Sequence, residues 1–189
     1  MQVNGKAAFV TGGASGLGAA TATALAAQGA AVLIGDVQAD RVRETAERIG
    51  AGASFLRTDV ADEDSVRAAI AQAIVGSGKL AIVVNCAGIL IGEKIVGKHG
   101  THDLGRFRRV IELNLVGTFN VIRLEAEVMQ DNQPEENGER GVIKNTASVA
   151  AYEGQIGQSA YAASKAAIAG LTLPAARELA RSGIRVCAI

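Results

Sequence analysis

No tryptophan occurs in this chain, and aromatic residues of all kinds make up only 3% of it. An aromatic-rich β-sandwich is therefore disfavoured. The hydrophobic share is nonetheless 49%, so the core must be built from Ala, Val, Ile and Leu, as in a sheet layered with closely packed helices. Neither sign of charge is in excess: 19 basic residues balance 19 acidic ones. Without a basic surplus nothing is set up to neutralise a phosphate backbone, and no nucleic-acid partner is expected. Cysteine is scarce. Cys86 and Cys187 each lie in an apolar, strand-like run, and they read as buried thiols in a reducing compartment rather than as a disulfide. No stretch of roughly 18 apolar residues runs without a charge or a glycine, so no membrane-spanning helix is expected. The first strand pattern begins at about Lys6, which leaves no room for a signal or transit peptide. The expectation from these absences is a cytoplasmic protein with no membrane partner and no bound metal.

What is present is alternation. Apolar runs at residues 7–10, 31–34, 54–57, 80–85, 142–147 and 184–189 read as six strands. Between them lie helical patterns at 16–28, 40–49, 62–75, 104–130 and 159–181. Gly29 and Gly50 close the first two helices, and Asp62 caps the third. Residues 92–105 are rich in Gly and Lys and read as a loop. Residues 131–140 hold Pro134 and no apolar side chain, which makes a solvated connection. Continuous apolar strands alternating with helices imply an α/β fold, a Rossmann-like doubly wound parallel sheet with helices on both faces. The 189 residues suit a single domain. Such sheets bind ligands at the carboxyl ends of their strands, where strand order reverses.

The turn after the first strand is Thr11-Gly12-Gly13-Ala14-Ser15-Gly16-Leu17-Gly18. Glycines there allow a tight turn, close approach of backbone to a pyrophosphate and close helix–strand packing. The helix that follows presents free N–H groups to phosphate oxygens. Ser15 adds a hydroxyl. No Gly-Lys-Ser/Thr closes the turn, so it is not a phosphate loop of the nucleotide-hydrolase type. Asp36 ends the second strand, near the spacing expected for a carboxylate on the adenosine ribose. It accepts from a 2′-hydroxyl and repels a 2′-phosphate, and Val37 rather than an arginine follows it, so NAD is favoured over NADP. Asp59 and Val60 end the third strand. Asp59 is placed either to meet the adenine amino group or to open the next helix. Asn85-Cys86-Ala87-Gly88 ends the fourth strand, where small residues let backbone approach a cofactor and Asn85 is placed to pin two strand ends together.

The reacting centre is sought at the fifth strand and the helix after it. Tyr161 and Lys165 are spaced i, i+4 and share one helix face. A phenol with a pKa near about 10 is a poor base at neutral pH, and a neighbouring ammonium favours its ionised form. Ser148 ends the fifth strand and is placed to orient a substrate carbonyl. Asn114 lies inside the long helix, where a polar side chain has no local benefit, and a water held there would link Lys165 to solvent. Taken singly, these four read equally well as a half-buried ring, a solvated lysine, a cap and a satisfied core amide.

Together, in this order, the glycine turn, residues 85–88, Asn114, Ser148 and Tyr161-Ala162-Ala163-Ser164-Lys165 resemble the short-chain dehydrogenase/reductase family over essentially the whole chain. Residues 117–124, 145–151 and 153–158 resemble its type 2 3-hydroxyacyl-CoA dehydrogenase branch, whose relatives also oxidise some hydroxysteroids. The resemblance implies a mechanism. Tyr161 takes the hydroxyl proton while a hydride passes to the nicotinamide. Lys165 holds the nicotinamide ribose, Ser148 steadies the developing carbonyl, Asn114 anchors a relay water and Gln155 contacts substrate. It also implies an acyl-CoA or related hydroxy or keto substrate, a role in fatty acid metabolism and a homotetramer formed through the two long helices. Three features depart from the pattern, the first being Ala81, which replaces an aspartate common just before the fourth strand's apolar run. Lys144 stands where the family has an apolar residue, and a buried unpaired ammonium would be costly in a strand. The family also continues with a Pro-Gly segment and a substrate-covering loop, so a missing C-terminal part is expected beyond Ile189. Another alcohol or hydroxysteroid dehydrogenase, a 3-oxoacyl reductase and a non-catalytic NAD-binding fragment remain as alternatives.

Overall fold

The computed structural model describes residues 1–75, 78–98 and 100–189. Six strands form one parallel sheet: β1 (Ala7–Thr11), β2 (Ala31–Asp36), β3 (Ala53–Arg57), β4 (Leu80–Asn85), β7 (Gly141–Asn145) and β8 (Ile184–Ala188). Their order is β3-β2-β1-β4-β7-β8, so the winding reverses between β1 and β4. Alternate strand residues serve the two faces. Ala8, Val10, Val32 and Ile34 pack under α1 (Gly16–Ala27) and α2 (Ala39–Ile49). Phe9, Leu33, Val83 and Ile143 pack under α3 (Glu63–Ile74), α5 (Thr118–Met129) and α7 (Ser159–Leu179). Both layers are aliphatic apart from Phe9, as the scarcity of aromatics required, and the expected doubly wound sheet with helices on both faces is present.

The helix boundaries follow local chemistry. Asp62 accepts a hydrogen bond from Ser65 N at 2.7 Å and so opens α3. Gly29 takes a positive φ of 85° after α1, and its N–H bonds Ala26 O at 2.9 Å, which closes that helix. Asp103 opens α4 (Leu104–Ile111) by accepting from Arg106 N.

Four expectations need correction. The long helix expected over 104–130 is not uniform, because Glu112–Gly117 forms a π turn between α4 and α5. The Gly- and Lys-rich loop contains a hairpin of β5 (Val96–Gly97) and β6 (Gly100–Thr101), too short to leave a periodic trace. A short helix, α6 (Ala150–Glu153), stands between the fifth sheet strand and α7. That strand ends at Asn145 rather than at residue 147, although Thr146 N still bonds Asn85 O.

Lys144 is half-buried, not buried. It points to the α1 side of the sheet, into a groove open between Leu17, Thr21, Leu25 and Ile189, so its ammonium has a path to water. The ladder stays regular at Lys144, paired with Val84 and Cys187. Both cysteines are unpaired, as expected, but each is half-buried rather than buried. Among the described residues no helix is long and apolar enough to cross a membrane, and no cluster of His, Cys, Asp or Glu is placed to hold a metal ion.

Candidate active site

A cleft of about 330 Å³ opens where the strand order reverses, at the carboxyl ends of β1 to β4. Its walls include Gly12, Ser15, Gly16, Leu17 and Gly18 from the turn after β1. Sterics dictate that turn. Gly12 has φ +65°, and a Cβ there would stand 2.6 Å from Ala87 N. A Cβ on Gly18 would stand 2.2 Å from Gly12 O. The missing side chains let the β1 turn press against the β4 loop and let α1 begin immediately beneath it. Ser15 is the N-cap residue of α1 in extended conformation, and its side chain makes no capping bond. The first N–H groups of α1 are the free donors that a helix start offers an anion.

Asp36 lines the same cleft. Its Oδ2 accepts from Ala14 N at 3.2 Å and its Oδ1 from Gln38 N at 3.0 Å, so the carboxylate is aimed but not saturated. Asp59, Val60, Cys86, Ala87 and Gly88 line the cleft from the segments after β3 and β4, together with Thr58, Ile89 and Leu113. Asp59 accepts from Ala61 N, so its carboxylate both shapes the turn toward α3 and faces the cleft. Burial pushes the half-buried Cys86 thiol up from its usual pKa, and Thr146 Oγ1 reaches its Sγ at 3.7 Å.

Asn85 lies below the cleft floor rather than on it. Its Nδ2 donates to Asn145 Oδ1 at 3.0 Å, and Thr11 Oγ1 reaches its Oδ1 at 3.5 Å. Ala87 N in turn donates to Thr11 Oγ1 at 3.2 Å. A polar rung thus ties together the carboxyl ends of β1, β4 and β7. Sequence reasoning missed Thr11 and Asn145 as members. The signal was there, since each is the polar last residue of a strand.

Asn114, Ser148, Tyr161 and Lys165, the reacting groups expected from the sequence, are not in the lining of that cleft; Asn114 and Lys165 lie next to it, behind Gly88, and Ser148 lines a separate groove with Val149 and Tyr152. Tyr161 and Lys165 sit one turn apart on α7, with Lys165 Nζ 5.7 Å from the centre of the Tyr161 ring. Lys165 is buried, and its Nζ donates to Thr146 O at 2.6 Å, a partner no sequence pattern announced. Burial lowers the lysine pKa from its ordinary value. Asn114 lies in the π turn and is buried. Its Oδ1 accepts from Ile89 N at 2.8 Å, while its Nδ2 donates to Ile89 O at 2.9 Å and to Ser164 Oγ at 3.0 Å. Both Asn114 N–H groups are therefore used, and what remains for a water is a lone pair on Oδ1. Ser164 Oγ donates to Tyr161 O, which joins this network to the tyrosine turn.

Gly88 is where the two sides meet. A Cβ built on it would stand 3.3 Å from Asn114 Oδ1 and 3.7 Å from Lys165 Nζ. Gly88, Asn114 and Lys165, from three separate segments, thus converge at the end of β4. Ser148 follows β7, and its Oγ accepts from Ala150 N at 3.1 Å to start α6. Gln155 is exposed in the turn after α6, away from the cleft lining, with its backbone N–H held by Gln158 Oε1. That turn is stitched to the loop after β4 by Glu93 N donating to Gly157 O at 2.8 Å.

The residues present fit a dinucleotide: a turn that side chains would fill, a helix start facing it and an aimed carboxylate at the end of β2. Tyr161 and Lys165 stand one helix turn apart, with Lys165 next to Gly88 at the edge of that cleft. The fold and site together define a nicotinamide-dependent oxidoreductase. Residues 6–189 match the short chain dehydrogenase family, and the chain belongs to it. It is 52% identical over 183 residues to 3-hydroxyacyl-CoA dehydrogenase type-2 of Drosophila melanogaster, covering 96% of this chain and 72% of that protein. Against the Homo sapiens protein of the same name, identity is 50% over 189 residues, 99% of this chain and 72% of that one. The crystal structure of 3-hydroxyacyl-CoA dehydrogenase type-2 from Mycobacterium avium superposes with a TM-score of 0.94 at 46% identity. It covers all of this chain, 100%, and 75% of the other.

Proposed function

We propose that this chain is an NAD-dependent dehydrogenase acting on the C3 hydroxyl or keto group of a 3-hydroxyacyl-CoA, with Tyr161 as the acid–base group. The observation that carries the reading is the convergence of Gly88, Asn114 and Lys165 beside Tyr161, in a chain half identical to dehydrogenases of that name. Gly12, Ser15, Gly16, Leu17 and Gly18 would hold the pyrophosphate of the cofactor, Asp36 its adenosine ribose, and Asp59 and Val60 its adenine. Asn85, Cys86, Ala87 and Gly88, with Tyr161 and Lys165, would hold its nicotinamide end. The charge on Asp36 supports NAD over NADP.

When bound, the nicotinamide supplies the hydride acceptor or donor. The chain's own residues handle the proton. Tyr161 removes it from the substrate hydroxyl, or returns it to the carbonyl oxygen, at its phenol oxygen. Lys165 is buried beside the ring, its ammonium 5.7 Å from the ring centre, where it holds the reacting end in place. Ser148 hydrogen-bonds the substrate oxygen, and Gln155 contacts the substrate beyond it. Asn114 fixes the loop at Ile89 and the helix turn at Ser164, so it holds the two sides of the site in register.

Exposed apolar side chains follow the segments that carry these groups: Leu90, Ile95 and Val96 in the chain after Gly88, and Val149, Tyr152 and Ile156 in the chain after Ser148. A hydrocarbon chain or an acyl thioester suits such side chains, and a flat hydroxysteroid suits them as well. The reading includes a single domain over residues 1–189, a homotetramer through the helices of Asn114 and Lys165, a cytoplasmic location and a place in fatty acid metabolism. The test is NADH formation with 3-hydroxybutyryl-CoA and longer homologues, against a panel of secondary alcohols and hydroxysteroids, with NAD and NADP in parallel. Turnover confined to the alcohols or steroids overturns the acyl-CoA assignment, and preference for NADP overturns the role given to Asp36.

A further inference from the structure

The cofactor cleft has a wall that no residue described so far holds in place. Val60 is buried and lines the cleft between β3 and α3. It lies in a connection with no strand partner, yet α5 and the turn before it grip it at two points. The first is Gly117, where a Cβ would stand 2.6 Å from Val60 Cγ2, so the bare backbone of the π turn packs directly on the valine. The second is Asn120, three residues on and on the same helix face, whose Nδ2 donates to Val60 O at 2.9 Å.

The amide of Asn120 has no freedom to turn over. Its Oδ1 accepts from Arg123 Nη2 at 2.7 Å and from Arg123 Nε at 3.1 Å, and a guanidinium has only donors. Oxygen therefore faces the arginine and nitrogen faces the valine carbonyl. Arg123 also bonds Glu63, the first residue of α3. Arg67 joins Glu63 to Glu127, so charge pairing links the outer edges of α3 and α5 as well. The segment from Val60 to Glu63 is thus held at both ends by one helix. Asn120 itself is buried and touches only protein.

We infer that Asn120 is a positioning residue for the adenine end of the cofactor, setting the depth of the cleft wall through the Val60 carbonyl. This rests on the reading above that the cleft takes a dinucleotide with its adenine at Asp59 and Val60. Removing the amide frees a carbonyl that no other donor among the described residues holds, and lets the wall drift. A net hydrogen bond of ordinary strength corresponds to roughly a two- to tenfold change in affinity.

The experiment compares wild-type protein with Asn120→Ala and Asn120→Ser, the second keeping a small donor in case the first fails to fold. Readouts are the dissociation constants of NADH and ADP-ribose, and steady-state constants with a 3-oxoacyl-CoA. Asn120→Ala raises the KM for NADH and the dissociation constant of ADP-ribose together, by about five- to tenfold, and Asn120→Ser recovers part of that. The kcat at saturating NADH and the KM for the acyl substrate stay within about twofold of wild type. The inference is overturned if both variants bind ADP-ribose as wild type does. It is equally overturned if cofactor and acyl constants worsen in proportion alongside a fall in melting temperature, which marks a merely structural residue. If wild-type protein binds neither NADH nor ADP-ribose, the reading of the cleft fails instead, and that result is recognisable before any variant is made.

Discussion

At the cofactor end of the cleft the chain is defined by what it leaves out; at the catalytic end, by what it puts in. Gly12 and Gly18 shape the first end because no side chain fits there, with Cβ positions 2.6 Å and 2.2 Å from neighbouring backbone. The donors they free are main-chain N–H groups at the start of α1. The second end, in the reading proposed above, is a set of side chains: Tyr161 and Lys165 one helix turn apart, with Asn114 bracing the backbone at Ile89. Its surroundings are apolar and exposed. Tyr152 and Ile156 are 84% and 87% exposed, while Gly13, Ala14 and Gly18 of the glycine turn are buried. The difference teaches where each end is vulnerable. One is destroyed by adding a methyl group, the other by removing an oxygen.

The sharpest break comes at the catalytic end. Tyr161→Phe deletes one hydroxyl and leaves the ring, its packing against Lys165 and the whole glycine turn in place. Turnover should fall by about 10²- to 10⁴-fold, the usual worth of a positioned acid–base group, while NADH affinity stays within about twofold. Rapid-quench turnover and fluorescence titration check the two halves separately. A parallel loss of NADH binding would mean that the two ends are one unit and not two. Gly18→Ala is the converse. Its new Cβ meets Gly12 O, which is backbone and cannot swing aside. Overpacking of this kind costs about 1–3 kcal/mol, or roughly a five- to hundredfold loss of NADH affinity. Whatever turnover remains at saturating cofactor should still depend on Tyr161.

The same contrast explains how far the sequence could be read. Groups written in a single local run were legible. The glycine turn follows its strand directly, Asp36 closes a strand, and Tyr161 and Lys165 declare their shared face by spacing alone. Six strands and the doubly wound order class followed from alternation. What escaped was made by pairs remote in the chain. Lys165 with the Thr146 carbonyl, Asn85 with Asn145 and Asn120 with Val60 are each set by tertiary placement. The π turn escaped for a related reason. Residues 112–117 have an ordinary helical pattern, and only the pull of Ile89 on the Asn114 side chain shows that the turn has a second anchor. Lys144 was read as a buried charge because a strand residue looks buried from both sides. Its face of β7 is open to a groove instead.

A finer cut falls within the cofactor end. Asp36 acts by charge there, where its neighbours act by shape. Asp36→Asn keeps the outline and leaves one oxygen for the bonds now made to Ala14 N and Gln38 N. NADH affinity should fall by about three- to tenfold and NADPH affinity should rise, with turnover by Tyr161 intact at saturation. Titration with both nucleotides measures this. If NADPH affinity does not move, the end of β2 discriminates by space and not by charge.

The smallest effect is expected away from both ends, in the helix that backs them. Glu125 is 0% exposed on α5, and neither carboxylate oxygen has a partner among the described residues. The charged residues of α3 nearest α5, Glu63 and Arg67, are on the outer edge and paired there. β4 carries no charge, and Lys144 of β7 points to the opposite face of the sheet. Burial without compensation therefore holds the Glu125 carboxyl well above its ordinary value of 4.5. The sign follows. Below the unfolded value both states carry the proton and stability is at its fullest. As pH rises past it, the unfolded chain ionises first, and stability falls until the folded group also ionises, by about 1.4 kcal/mol per pH unit at most. Glu125→Gln should remove that slope while keeping an unpaired polar group. Glu125→Leu should remove it and raise stability by about 1–3 kcal/mol at neutral pH, since an orphaned polar group is replaced by an apolar one. Denaturant melts at several pH values test both. Neither variant should change NADH affinity or turnover by more than about twofold, because no hydrogen bond leads from Glu125 to either end of the cleft. A change at one end alone would show that the core beneath α5 supports that end and not the other.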